Sequence, residues 1–344
     1  MRLGLVMGYW GSSGPPADAA AQVAAAEALG FDSVWTAEAY GSDAFTPLAW
    51  WGSATERIRL GTGVTQLSAR TPASTAMTAI TLDHLSNGRL ILGLGVSGPQ
   101  VVEGWYGQPY AKPLARTREY VELLRRIFAR EEVDFQGAHY KMPLRAEDGG
   151  TGFGKPLKSI VRPLRPDIPI WLGAEGPKNV ALTAEIADGW LPIFFSPKSD
   201  AYYRAALDEG FARPGARRKP EEFEVACTVP AIVADDVEGC ADLLRPMYAL
   251  YIGGMGAREV NFHFEVFSRM GHEGVCHDIQ DLYLAGRKDE AIAKVPTALI
   301  EDVALIGPKE KILEELEAWK ATVLTTMLVS GPPSLLEDIA ELVG

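Results

Sequence analysis

Eight short apolar runs, each followed by a stretch of helical character, recur along this chain with no break in composition. The runs are "RLGLVMG" (2–8), "SVWTAEA" (33–39), "IRLGTGVTQ" (58–66), "RLILGLGV" (89–96), "IPIWLGA" (168–174), "GWLPIFF" (189–195), "FEVACTVPAIV" (223–233) and "VLTTMLVS" (323–330). Helical patterns fall between them, over 17–30, 46–55, 72–86 and 115–131, then in "PKNVALTAEIAD" and "DAYYRAALDEGFAR". A last helix over 334–343 closes the chain. Such alternation implies parallel β/α units, and strands apolar nearly throughout imply sheet faces covered on both sides. Eight units predict an α/β fold of the (β/α)8 TIM-barrel type rather than a doubly wound sheet. Two stretches exceed the minimal pattern, about 135–167 and 253–300, and insertions at the C-terminal mouth are expected of them. Residues 1–344 read as one domain.

The totals limit the function classes. A formal net charge of −12 argues against a nucleic-acid surface, which needs clustered Lys and Arg to neutralise phosphates. The three cysteines, Cys227, Cys240 and Cys276, have no metal-ligand spacing and suit reduced, buried thiols in a cytoplasmic protein. The five histidines, His84, His139, His263, His272 and His277, lie on separate elements, so no metal is expected. No apolar run approaches a membrane span.

The stretch "LILGLGVSGP" (90–99) carries Gly93, Gly95 and Gly98 at the G-x-G-x-x-G spacing of dinucleotide sites. That motif needs a helix opening at its last glycine, so that the helix N-terminus faces the pyrophosphate. Here Pro99 follows Gly98, and "PQVVEGWYGQPYAKPL" has loop composition up to a helix expected near Ala115. The dinucleotide reading therefore fails on context. A glycine-rich strand end still lets backbone N–H groups approach an anion. A second such segment, "GAEGPKN" (173–179), ends strand five, and the two together could clamp a phosphate. Tight β/α turns are the plainer alternative.

Long segments of the chain resemble the bacterial luciferase-like family, in the branch that uses the deazaflavin coenzyme F420. They are "GFDSVWTAEAYGSDAFTPL" (30–48), "RIRLGTGVTQLSARTPASTAM" (57–77), "TLDHLSNGRLILGLGVSGP" (81–99), "GPKNVALTAEIADGWLP" (176–192) and "LYIGGMGAREVNF" (250–262). The resemblance implies a TIM barrel with the cofactor ring across its C-terminal mouth. It also implies a non-prolyl cis peptide at Gly63–Val64 as the ring seat, with Thr65 and Gln66 beside it. Backbone at Val96, Ser97 and Gly98 and at Ala174, Glu175 and Gly176 is implied to hold the phosphate. Lys112, Arg116 and Lys178 are placed to meet the cofactor's glutamate tail. Glu38, the acidic residue of strand two, is expected at the ring edge. The chain departs from the sugar-phosphate dehydrogenase branch: Ala39 replaces a histidine, and Pro99 and Gln100 stand where a glutamate belongs. That branch's acid/base pair is missing, which argues against its substrate.

A deazaflavin passes a hydride, leaving orientation and a proton to the protein. Glu38, Tyr40 and His263 are the candidates for that polar work. Trp10, Gln66, Trp105, Tyr110 and Phe194 are candidates for the substrate pocket, and core or rim packing is the alternative for each aromatic. The sequence thus points to an F420-dependent oxidoreductase of a small organic substrate, assembled as a homodimer. An FMN-dependent monooxygenase and a non-catalytic cofactor-binding protein are the two alternatives.

Overall fold

The computed structural model describes residues 1–344 except Ser13 and 257–260. Eight parallel strands form the barrel: β1 (Arg2–Gly8), β2 (Ser33–Thr36), β3 (Arg59–Thr62), β4 (Leu90–Gly95), β5 (Ile170–Gly173), β6 (Gly189–Leu191), β7 (Glu224–Thr228) and β8 (Thr326–Val329). β1 pairs with β2 and β8, and Leu60 and Gly61 of β3 pair with Leu90 and Ile91 of β4, which closes the ring. All eight expected strands are present. Run three is interrupted by the cis peptide Gly63–Val64, after which Thr65 and Gln66 pair with Leu94 and Gly95. Run seven divides as well: Ala231–Val233 leaves the barrel and pairs with Leu305–Gly307.

The barrel interior is filled by Trp35, Ile91, Trp171, Leu191, Ala226 and Leu328. Two indoles at 5.2 Å between centroids need more width than branched aliphatic layers do. Gly61 supplies it, since a Cβ there would lie 2.3 Å from the Trp35 ring. The Trp35 indole N–H donates to Ser33 Oγ at 2.8 Å, so that donor is satisfied inside the barrel.

Helices cover the outside. Those that bear on the site are α1 (Ala19–Ala28), α2 (Phe45–Gly52), α3 (Pro72–Leu85), α4 (Pro99–Gly104) and α5 (Pro113–Phe128). Pro72 sits at the N-terminal end of α3, and Thr71 accepts a capping bond from the Ser74 N–H. Helix α4 corrects the reading of 99–114 as loop. Gly98 is an extended N-cap, Pro99 starts the turn, and buried Val102 anchors it. A helix therefore does open at the last glycine of the motif, but in a barrel, not in a doubly wound sheet.

The insertions go to different places. Residues 135–167 do not form a lid over the mouth, as expected of them. Glu119 on α5 accepts the N–H groups of Ala138, His139 and Tyr140, which fixes a small hairpin (Phe135–Gln136 with Lys141–Met142) on the outer helical layer. Arg165 then binds Asp83 at the end of α3 and the carbonyl of Leu90 at the start of β4, at the base of the barrel. The later insertion builds a second apolar core with the helix Val237–Gly253, and its short helix Phe262–Phe267 reaches the mouth.

Candidate active site

Glu38 follows β2 and is 7% exposed. Its Oε1 accepts from the Gln66 N–H at 2.9 Å and from Arg70 at 2.6 Å, and its Oε2 accepts from the Ala44 N–H at 3.2 Å. The Gln66 side-chain amide returns a bond to the Glu38 carbonyl at 2.9 Å. Burial works against the charge on Arg70, but its pairing with Glu38 and Asp43 holds the guanidinium above its ordinary range. Glu38 is thus a bracket that ties the end of β2 to the strand after the cis bond. A barrel-mouth carboxylate paired with an arginine is the plainer reading of Glu38, but nothing in the sequence singled out Arg70, 32 residues away, as that arginine.

Beside that bracket the polar groups are unmatched. Thr65 Oγ1 and Gln66 Oε1 are buried with no partner in the protein. A buried polar atom without a partner costs about 1–3 kcal/mol, so at the mouth these two atoms are open to a bonding partner from outside the chain, water or ligand.

The β4 end forms the next wall. Ser97 takes a left-handed backbone (φ 58°), unusual for a residue with a side chain, and its carbonyl accepts from the Tyr110 hydroxyl at 3.3 Å. Val96, Tyr110 and Arg116 line one small pocket with Leu67, Ser68 and Pro113, with Arg116 also donating to the Pro109 carbonyl. A cation therefore stands beside the glycine-rich strand end. At the end of the neighbouring strand β5, Gly176 is the extended N-cap of the helix Pro177–Ile186, and the Ala174 carbonyl accepts from Trp190 at 2.8 Å.

The third wall joins residues remote in sequence. Asn261 caps the short helix of the later insertion through the N–H groups of His263 and Phe264. This brings His263 Nδ1 to 2.9 Å from Glu175 Oε1. The approach is close but off the N–H direction, so Nδ1 and Glu175 Oε2 are both buried without an aligned partner. Phe194 follows β6 in a left-handed backbone (φ 55°) and meets His263 edge-on at 5.7 Å and Tyr251 at 4.9 Å. Tyr251 in turn lies 4.9 Å from His263. Burial, and then the neighbours Tyr9 and Glu175, push the Tyr251 hydroxyl up to about 12.

The remaining candidates stand at the rim. Tyr40 and Trp105 are exposed, with ring centroids 6.5 Å apart. Trp10 lines an apolar cleft with Pro15, Pro16, Pro47, Trp50 and Trp51, outside the circle of strand ends. His263, Glu175 and Phe194 are thus assembled together, Glu38 with Gln66 is a second group, and Tyr40, Trp105 and Trp10 stay peripheral.

Residues 5–326 match the family described as luciferase-like monooxygenase. The chain belongs to the luciferase-like monooxygenase family. It is 56% identical over 345 residues to the Mycobacterium tuberculosis protein named "Putative coenzyme F420-dependent oxidoreductase Rv3520c", spanning 100% of this chain and 99% of that one. It is 28% identical over 310 residues to the 5,10-methylenetetrahydromethanopterin reductase of Archaeoglobus fulgidus, covering 90% of this chain and 87% of that one. In fold it is similar to the coenzyme F420-dependent tetrahydromethanopterin reductase of Methanopyrus kandleri, with a TM-score of 0.81 and 22% identity over 99% of this chain and 97% of that one.

In this luciferase-like barrel, two further aromatics join the walls: Tyr106, which the sequence offers with Trp105 and Tyr110 as a loop aromatic, and Tyr251, which it does not. Tyr106 donates to the Ala39 carbonyl at 2.9 Å and so pins the β4 loop to the β2 end. Tyr251 sits mid-pattern on an amphipathic helix, where nothing separates a site aromatic from a core one. Among the described residues no cluster of His, Cys, Asp and Glu is arranged to hold a metal ion, and no helix is long and apolar enough to cross a membrane.

Proposed function

We propose that this protein is a coenzyme F420-dependent oxidoreductase acting on a small organic substrate, with His263 handling the proton. The observation that carries the reading is the placement of His263 over the mouth, beside the β5 end. The residues of the mouth fit the deazaflavin. Thr65 Oγ1 and Gln66 Oε1 are buried atoms that lack partners and suit a ring edge bearing both carbonyl and N–H groups. Backbone at Val96–Gly98 and at Ala174–Gly176 suits a phosphate, with Arg116 next to the former. The near-complete match to a relative named for this coenzyme supports the same assignment.

F420, when bound, supplies or accepts a hydride. The chain's own part is positioning and proton transfer. Thr65 and Gln66 orient the ring, while Glu38 acts as a positioning residue that fixes Gln66 through its N–H and side-chain amide. His263 delivers or takes the proton that accompanies the hydride, because Ala39, Pro99 and Gln100 offer no acid or base at the other two family positions. Phe194 and Tyr251 hold the imidazole edge and keep water from its inner side.

We further read the chain as a single-domain cytoplasmic homodimer. Its three free cysteines are all buried, which suits a reducing compartment. Trp50 on α2 and Met77 and Leu85 on α3 are exposed apolar side chains on adjacent outer helices, suited to a second copy. The experiment is equilibrium titration of the purified protein with F420 and, separately, with FMN, followed by fluorescence quenching. Micromolar binding of F420 is expected, and tight FMN binding with no response to F420 overturns the assignment. Sedimentation equilibrium tests the dimer.

A further inference from the structure

The side chain of Glu175 is not used by a phosphate clamp, which needs only backbone N–H groups at this turn. It is nevertheless turned inward, 15% exposed, with Oε1 at 2.9 Å from His263 Nδ1 and Oε2 buried and unpartnered. His263 Nδ1 is buried too, whereas the imidazole as a whole retains 19% exposure. The accessible part of the ring is therefore the edge away from Glu175, which carries Nε2. Nδ1 faces Oε1 at hydrogen-bonding distance but off the N–H direction, and a small ring rotation would pair them. Such bonds are commonly loose before substrate binds and tighten in the complex.

We infer that Glu175 is a positioning residue for His263: its carboxylate fixes Nδ1 as the protonated nitrogen of the neutral ring and aims Nε2 at the substrate. The inference rests on the functional reading above and extends it to the group that controls the proton. In the reducing direction, the protonated imidazole gives its Nε2 proton to the substrate atom that gains electron density as the C–H bond forms. The Nδ1 proton stays on the Glu175 side, and the ring becomes neutral with Nε2 bare. In the oxidising direction Nε2 accepts the proton of the substrate hydroxyl or amine as the hydride leaves. A carboxylate behind the imidazole favours the cationic ring and sets the tautomer of the neutral one.

The surroundings leave Glu175 as the group fitted to this task. Phe194 presents only a ring edge, and Tyr251 on the helix Val237–Gly253 keeps its proton because burial and Glu175 push its hydroxyl up. Tyr203 on the helix Asp200–Phe211 is pushed up to about 12, by burial above all, and is bonded to Arg269. Arg269 is also placed over the Tyr202 ring at 5.1 Å. On the short helix of His263 itself the charged neighbour is Glu265. Among the described residues, Glu175 is the carboxylate at hydrogen-bonding distance from the imidazole.

The test is nitrogen-15 NMR of the full-length protein, with histidine labelled and no cofactor added, at a pH where imidazoles are neutral. His263→Asn assigns the resonance among five histidines. The wild type is expected to show the Nδ1–H form, and Glu175→Leu the Nε2–H form that free imidazoles prefer. Glu175→Gln keeps an acceptor and is expected to restore the Nδ1–H form. A tautomer unchanged in Glu175→Leu overturns the inference, as does an Nε2–H form in the wild type. Should Glu175→Leu fail to fold, Glu175→Ala removes the acceptor without adding bulk and is read in the same way. F420 quenching on the same samples separates the two ideas: an intact Nδ1–H tautomer without F420 binding sinks the functional reading alone.

Discussion

The two ends of this barrel treat buried polarity in opposite ways. At the N-terminal base, Arg59 bridges Asp32 at 2.5 Å and Glu224 at 2.9 Å, and Arg2 joins the same Glu224. Asp188, just before β6, receives Arg125 at 2.5 Å, Arg217 and Arg218 at 2.7 Å each, and the Ile170 N–H at 2.8 Å. At the C-terminal mouth, Thr65 Oγ1, Gln66 Oε1, Glu175 Oε2 and His263 Nδ1 are buried with nothing aligned to them. Both ends bury polar atoms. The base pairs its buried carboxylates with guanidinium groups and leaves only Arg125 Nε and Thr326 Oγ1 unpaired among the described residues. The mouth leaves a carboxylate oxygen, an amide oxygen, a hydroxyl and a ring nitrogen unmatched. The difference separates residues that hold the barrel shut from residues kept ready for a ligand, in line with the division of labour expected of this fold.

The largest effect that would sharpen this contrast lies at Asp188. Replacing it with Asn leaves three guanidinium groups facing a neutral amide, and breaking a buried charge network of this kind costs about 3–5 kcal/mol. Urea unfolding should show that loss, while protein that remains folded should quench F420 fluorescence as the wild type does. The charge also gives a pH signature. Burial alone would raise the Asp188 carboxyl, but Arg125, Arg217 and the Ile170 N–H outweigh it and hold the group below the usual carboxylate range. Arg125 itself is held below the ordinary guanidinium range by burial and by the neighbouring Arg217, so the carboxylate is the main gainer. Because the folded value is depressed, this stabilisation is complete above the unfolded carboxyl value of about 3.9 and is lost as pH falls through the folded one. Stability should therefore drop below about pH 4 in the wild type, and less steeply in Asp188→Asn. Equal slopes would mean that the base network is not what closes the barrel.

The mouth should respond the other way round. Thr65→Val keeps the shape of a fully buried side chain and deletes an oxygen that has no partner. Removing an unsatisfied buried group is neutral or stabilising, so unfolding free energy should stay level or rise by about 1 kcal/mol. If that oxygen bonds the cofactor ring, F420 affinity should fall about five- to tenfold, the worth of one hydrogen bond. A variant that loses stability and leaves F420 binding unchanged would erase the distinction between the two ends.

How much of this was legible in the sequence depends on the range of the signal. The barrel strands were readable because a fully covered parallel strand is apolar along its whole length, and eight of them leave one closed solution. Helix α4 was not, because six residues with Val102 alone buried show no periodicity, and their Pro and Gly neighbours resemble a loop. The early insertion was assigned to the mouth because length marks an insertion without saying which face receives it. Glu119 and Asp83, which hold it to the outer layer and the base, lie within ordinary helical patterns. The site divides in the same manner. Positions at strand ends followed from the repeat and the family resemblance, whereas Glu38–Arg70 and Glu175–His263 are tertiary contacts that composition and spacing cannot carry. Glu175 was expected for its backbone, and it is the side chain that makes the contact.

The smallest effect belongs to the rim, and it tests whether the boundary of the site is drawn correctly. Tyr40 follows two residues after Glu38, a spacing that makes it a natural proton donor on paper. In the folded chain it is 61% exposed and its ring lies 6.5 Å from that of Trp105. A phenol that bonds mainly to water loses little when the hydroxyl is removed, and exposed substitutions usually fall within about 0.5 kcal/mol. Tyr40→Phe should therefore shift F420 affinity by less than about twofold and leave the unfolding midpoint in place. A tenfold loss of F420 binding in this variant would extend the ligand site outward over the rim. The exposed aromatics Tyr40 and Trp105 would then belong with the unmatched interior atoms, as groups waiting for a partner.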